Sequence, residues 1–96
     1  MKDLVYVDKS PIHGRGLFAK RDIPKGTVIG VVEGVPAKRN GPYVLWLSEA
    51  EGIRVQCELR YINHSDTPNA AYYDSLEVIA LRDIRRGEEI THNYEQ

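Results

Sequence analysis

Apolar positions along this chain come in short β-prone runs cut by turn residues, which predicts a domain of short strands with very little helix. Leu4-Val5-Tyr6-Val7 is closed by Asp8-Lys9-Ser10-Pro11, and Ile12 leads into a turn at Gly14 and Gly16. Val28-Ile29-Gly30-Val31-Val32-Glu33 is too apolar to alternate and predicts a strand buried on both faces or crossing the core. Residues 34–42 read as loop. Tyr43-Val44-Leu45-Trp46-Leu47 and Ile53-Arg54-Val55-Gln56-Cys57 predict a strand pair across the charged turn Ser48-Glu49-Ala50-Glu51-Gly52. Ala71-Tyr72-Tyr73 predicts a short strand, Asp74-Ser75 a turn, and Leu76-Glu77-Val78-Ile79-Ala80-Leu81 a second, alternating strand. Tyr72 and Tyr73 read as cross-strand packing and Trp46, the only tryptophan, as core.

A second pattern lies over the first. Arg21-Asp22-Ile23-Pro24-Lys25-Gly26-Thr27-Val28-Ile29 recurs as Arg82-Asp83-Ile84-Arg85-Arg86-Gly87-Glu88-Glu89-Ile90, each with Ala two residues before the Arg. Each copy reads as strand, turn with glycine at a positive-φ position, then strand, so two similar hairpin-like units are expected. Two copies are too few for a solenoid.

One stretch breaks the rhythm. Arg60-Tyr61-Ile62-Asn63-His64-Ser65-Asp66-Thr67-Pro68-Asn69-Ala70 passes from apolar positions into a run dense in hydrogen-bonding side chains. Asn, Ser and Asp compete for backbone hydrogen bonds, Pro68 removes a donor, and Thr67 before it is pushed toward extended dihedrals. The run is therefore expected as an ordered polar turn and not as strand interior. Polar loops held by rigid strands are where small ligands are gripped.

Composition narrows the choice. At 96 residues the chain reads as one domain, residues 1–96, able to bury somewhat more than roughly 60% of its unfolded surface. A net charge of -1 supplies no basic field for nucleic acid, so no such partner is expected. Cys57 is the single cysteine, which excludes an intrachain disulfide and a cysteine-rich zinc site; it is read as buried and inert. No apolar run approaches the ~20 residues that span a bilayer, and residues 1–4 carry no apolar signal region, so no membrane partner and a cytoplasmic location are expected. A serine hydrolase is discounted because no G-x-S-x-G elbow is present.

Three blocks in order carry a resemblance. Gly14-Arg15-Gly16-Leu17-Phe18-Ala19, then Arg60-Tyr61-Ile62-Asn63-His64-Ser65 with Pro68-Asn69, then Gly87-Glu88-Glu89-Ile90-Thr91-His92-Asn93-Tyr94, resemble the motifs of the SET-domain family over about residues 5–94. The resemblance implies a mainly β, β-clip fold of short antiparallel sheets with a knot-like crossing near the C-terminus, and so Tyr94 beside Asn63. It implies a protein-lysine N-methyltransferase using S-adenosylmethionine. In that reading Tyr94 is the catalytic tyrosine, Asn63 and His64 hold the amino and adenine ends of the cofactor, and Arg15 with Gly16 contacts its methionine part. The partner implied is a protein substrate bearing a target lysine, and the location extends to the nucleus in a eukaryotic or viral setting.

The chain also departs from the family pattern. Val32 stands where many members carry a lysine-channel tyrosine, the insert before the polar motif is nearly absent, and Asn93 replaces a more frequent aspartate. Asp66 stands where many members have a zinc-binding cysteine, so no metal is expected. No cysteine follows Tyr94 in this sequence, so the zinc-bearing extension of those members is not expected, and a homodimer is the expected supplier of that channel wall. Val32, the nearly absent insert and the lack of an expected extension favour the alternative, a non-catalytic SET-like module that binds a protein partner or S-adenosylmethionine; intact Asn63, His64 and Tyr94 favour the enzyme. His13 reads as a solvated loop histidine, and His64 lacks metal-ligand partners at suitable spacing.

Overall fold

The computed structural model describes residues 4–41, 43–73 and 75–93. Among them the short apolar runs form ten strands: β1 (Val5–Lys9), β2 (Arg15–Ala19), β3 (Val28–Val31), β4 (Gly34–Ala37), β5 (Val44–Trp46), β6 (Gly52–Val55), β7 (Asn63–His64), β8 (Ala70–Tyr72), β9 (Glu77–Ala80) and β10 (Glu89–His92). One 3-10 helical turn, Glu58–Tyr61, precedes β7. The expected mainly β architecture with very little helix is what these residues adopt.

Three small sheets share one core. The first has the order β1-β2-β10-β7, the second β3-β9-β8 and the third β4-β6-β5. Alternation in β2 sends Leu17 and Ala19 inward with no exposed surface, while Phe18 stacks on Tyr6 of β1 at 5.6 Å on the other face. Ile23, Ile29, Val78, Ile84 and Ile90 join Leu17 at 2% exposure or less. Burying each such side chain contributes about 1.5–3 kcal/mol, so the core is built where the sheets meet.

The internal repeat folds differently from two hairpins. Each turn does place glycine in the left-handed region, Gly26 at φ 87° and Gly87 at φ 88°. But the strand after the first turn, β3, pairs with β9, which leads into the second turn, and β10 after the second turn pairs with β2, which leads toward the first. The turns clasp each other: Ile23 and Ile84 exchange backbone hydrogen bonds at 2.7 and 2.8 Å. Asp83 accepts from the Lys25 N–H and Asp22 from the Arg86 N–H, while the Gly26 and Gly87 N–H groups donate to the carbonyls of Ala80 and Ala19. The repeated Ala, Asp, Ile and Gly are thus the residues of a pseudo-twofold clasp.

Other expectations need correction. Residues 34–37, read as loop, form edge strand β4, where Pro36 costs no ladder bond because its nitrogen side is free of a partner strand. Gly34 is required there, since a Cβ would meet the Arg54 carbonyl. β3 is an edge strand and leaves Val31 41% exposed, so it is not buried on both faces. Trp46 is not core: it is 38% exposed and lies over Gly52, whose missing side chain makes room for the indole. Cys57 is only partly buried, with its sulfur accepting the Glu33 N–H at 3.5 Å.

Candidate functional site

The site grows from a crossing. β10 runs antiparallel to β2 on one side and parallel to β7 on the other, with Thr91 beside Asn63 and His92 beside His64. So Asn63 and His64, expected in a turn, have a two-residue strand pairing, after which the polar turn begins. Ser65 donates its N–H to the His92 carbonyl, and its hydroxyl accepts the Thr67 N–H at 3.1 Å, the self-capped turn expected of this composition. Buried Asn69 stands in for a strand: its Nδ2 donates to the Glu89 carbonyl at 2.8 Å and its Oδ1 accepts the Thr91 N–H at 2.9 Å.

Held this way, Asn63 reaches across to the first glycine turn. Its Nδ2 lies 3.1 Å from the carbonyl oxygens of His13 and Arg15 and 2.9 Å from Glu89 Oε2. The Ser10 hydroxyl donates to the same carboxylate at 2.7 Å. Gly14, at φ 46°, supplies the left-handed turn that brings these carbonyls round. Gly16 sits behind them in β2, where any side chain would collide with the Glu89 carboxylate.

Two adjoining clefts open on this frame. One, of about 290 Å³, is lined by His13, Gly14, Arg15, Tyr43, Arg60, Tyr61 and Asn63. The other, of about 210 Å³, is lined by Tyr43, Val44, Leu45, Val55, Arg60, Ile62, Asn63 and Tyr72. Tyr43, Arg60 and Asn63 belong to both, and the joined space falls within the roughly 300–1,000 Å³ of small-molecule sites.

Arg60 is the fixed cation between them. Its guanidinium lies 4.7 Å from the Tyr61 ring centroid and 5.8 Å from that of Tyr43, and it donates to the Gln56 carbonyl and the Tyr61 hydroxyl. No carboxylate among the described residues pairs with it. Tyr43 holds a left-handed backbone, φ 63°, a strain of about 1–3 kcal/mol, and the Val55 N–H pins its carbonyl at 2.8 Å. On the far side His92 packs edge-on against Tyr72 at 4.6 Å and donates from Nδ1 toward the Ala70 carbonyl at 3.4 Å. Burial pushes the His92 pKa below its ordinary 6.5, the Ala70 carbonyl opposes this, and neighbouring His64 adds to the lowering.

Of the residues singled out from sequence, Arg15 and Asn63 line the first cleft, and Gly16 lies behind it against Glu89. His64 follows on β7 with Nε2 donating to Asp66 at 3.1 Å. Tyr94 lies outside the described residues, two positions past His92. Val32 is core, 4% exposed, with its N–H on the Leu76 carbonyl. Tyr72 packs across the strands from Val78 as expected and also lines the second cleft, while Tyr73 is 45% exposed. His13 is solvated as expected, yet its carbonyl belongs to the site. Ser10, Tyr43, Tyr61, Arg60 and Glu89 carried no assigned role from sequence; for Arg60, Tyr61 and Glu89 the available signal was their place within the motif blocks.

The family model of the SET domain matches residues 14–95, which takes in both glycine turns, the polar motif and the crossing strand. The chain belongs to the SET-domain family. Its SET domain is 31% identical over 117 residues to human histone-lysine N-methyltransferase 2B, covering 97% of this chain and 4% of that protein. It is 33% identical over 115 residues to the Drosophila melanogaster histone-lysine N-methyltransferase trr, covering 94% and 5%. A Plasmodium falciparum variant-silencing SET domain-containing protein is 32% identical over 123 residues, covering 98% and 5%. The chain thus spans only a small part of the length of these relatives. The stretches matched are longer than the whole 96-residue chain, so the relatives carry extra residues inside the match. A crystal structure of a Plasmodium falciparum protein described as a histone methyltransferase superposes with a TM-score of 0.77 at 22% identity, covering 98% of this chain and 95% of that one, a likeness of fold.

Proposed function

We propose that this SET domain binds S-adenosylmethionine in the cleft between the Gly14 turn and Asn63 and transfers its methyl group to a lysine amine of a protein. The observation that carries the reading is the crossing itself: the parallel pairing of β10 with β7 sets the third motif block beside the second, and Asn63 reaches from there to the Gly14 turn, with which it lines one cleft. The donor set suits a ligand with an ammonium and a carboxylate. Backbone carbonyls and the Asn63 amide offer acceptors to the first, and Arg60, stacked and without an acidic partner among the described residues, offers a rigid fork to the second.

When bound, the cofactor supplies an electrophilic methyl group on a sulfonium. The chain's own task is positioning and desolvation. A lysine of ordinary pKa about 10.4 costs roughly 4–5 kcal/mol to neutralise at pH 7, and a narrow channel lowers that cost by disfavouring the ammonium. Tyr72 and Tyr43 provide aromatic walls in the second cleft, and the Tyr94 hydroxyl is assigned as the acceptor that holds the amine in line. A second copy of the chain beside that channel belongs to the same proposal.

Calorimetric titration with S-adenosylmethionine and S-adenosylhomocysteine tests it without a known substrate. One-to-one saturation is expected, weakened about tenfold or more by Asn63→Ala, as suits loss of a hydrogen bond to a charged group. Absence of binding by the wild-type chain would remove the transferase reading and leave a SET-like binding module.

A further inference from the structure

Asn63 presents an asymmetric carboxamide to the cleft wall, and the structure decides which end faces where. Three oxygens, the carbonyls of His13 and Arg15 and Oε2 of Glu89, converge on Nδ2. Nδ2 has two hydrogens, so one of them is shared, and the group is saturated. Rotating the amide by half a turn would set Oδ1 against three acceptors with no proton between them. Two of these acceptors are backbone and cannot adapt. The third, Glu89, is itself anchored, because the Ser10 hydroxyl donates to its carboxylate at 2.7 Å, and it fits there because Gly16 has no side chain to collide with it. No described residue donates to Asn63 Oδ1, which is thereby left for a ligand on a wall shared by both clefts.

We propose that Glu89 is a positioning residue for the ligand: anchored by Ser10, its carboxylate fixes the Asn63 carboxamide so that Oδ1 is the end offered to a ligand ammonium. This rests on the S-adenosylmethionine reading. Glu89 touches neither cleft by itself and acts through Asn63. A neutral acceptor in the same place does the same work, since what matters is an oxygen facing Nδ2. In Glu89→Gln the amide oxygen accepts from Asn63 while its nitrogen donates to the Ser10 hydroxyl, so the arrangement survives without the charge.

The test compares wild type, Glu89→Ala, Glu89→Gln and Ser10→Ala by calorimetry with S-adenosylmethionine, each at a temperature well below its measured melting transition. Glu89→Ala is expected to weaken binding about tenfold, Ser10→Ala by about threefold, and Glu89→Gln to bind within about twofold of wild type. The Asn63 side-chain amide protons, followed by NMR, should exchange faster in Ser10→Ala and stay protected in Glu89→Gln. If wild type binds but Glu89→Ala binds equally well, the positioning role is wrong while the cofactor reading stands. If Glu89→Gln is as weak as Glu89→Ala, charge and not amide orientation is the agent, and the proposal falls. Should Glu89→Ala fail to fold, Ser10→Ala and Glu89→Gln decide: unchanged affinity and unchanged amide exchange in Ser10→Ala overturn it. No binding by wild type removes both readings together.

Discussion

Tyr94 and Glu89 stand on the same C-terminal segment and ask different things of a side chain. The tyrosine hydroxyl is proposed to act only when the amine attacks, so Tyr94→Phe should lower turnover about a hundredfold while cofactor affinity stays within about twofold, the pattern of losing one preorganised transition-state contact. Steady-state kinetics on a lysine peptide beside calorimetry checks this, and a fully active Tyr94→Phe enzyme would end the assignment. Glu89 was harder to read. The sequence shows two adjacent glutamates, and only strand alternation separates them: Glu88 turns out to bond Arg82 and the Arg85 N–H, which holds its carboxyl below the usual range, while Glu89 turns in toward Asn63 and Ser10. Arg15 and Asn63 were legible because each belongs to a motif block; Tyr43 was not, because nothing local marks a tyrosine whose backbone is forced left-handed between two clefts.

Among the elements, the paired turns are the clearest case of a feature half visible in the chain. Their glycines follow from turn chemistry, and the structure leaves open space around both, so a methyl group there would meet no neighbour and act through φ alone. Gly87→Ala and Gly26→Ala should each destabilise by about 1 kcal/mol, read as a lower urea midpoint with unchanged slope. A loss of several kcal/mol would show that the clasp tolerates no local adjustment, and no loss would mean that the positive φ relaxes. The repeat predicted hairpins because turn signals are local. The exchange of partners joins residues about sixty positions apart, as Ile23 with Ile84, and leaves no mark in either nine-residue copy. Edge positions were misread for a related reason: an apolar run such as Val28 to Val32 looks the same whether one or two strands flank it, and Trp46 reads as core until Gly52 offers it a surface seat.

For the whole molecule, the crossing couples site and stability. His92 sits half-buried on β10 against Tyr72 and beside His64, and its folded pKa lies below 6.5. The unfolded chain therefore takes up this proton first as pH falls, so the contribution of neutral His92 is present above about pH 6.5 and is lost progressively below it. The melting temperature should drop between pH 7 and 5, and His92→Gln should remove much of that slope; an identical slope in the variant would show that His92 burial is not its cause. Most of the strands, though not β4 or β7, the glycine turns, the self-capped polar turn and the family itself follow from the chain read alone, because side-chain period, backbone permissiveness and short-range hydrogen bonding are local properties. Which strand lies beside which, that β10 threads parallel to β7, and that Asn63 meets Glu89 and the Gly14 turn were decided by tertiary structure. Those contacts form only when distant apolar faces are buried together, and burial selects partners by the fit of the assembled core and not by any single segment.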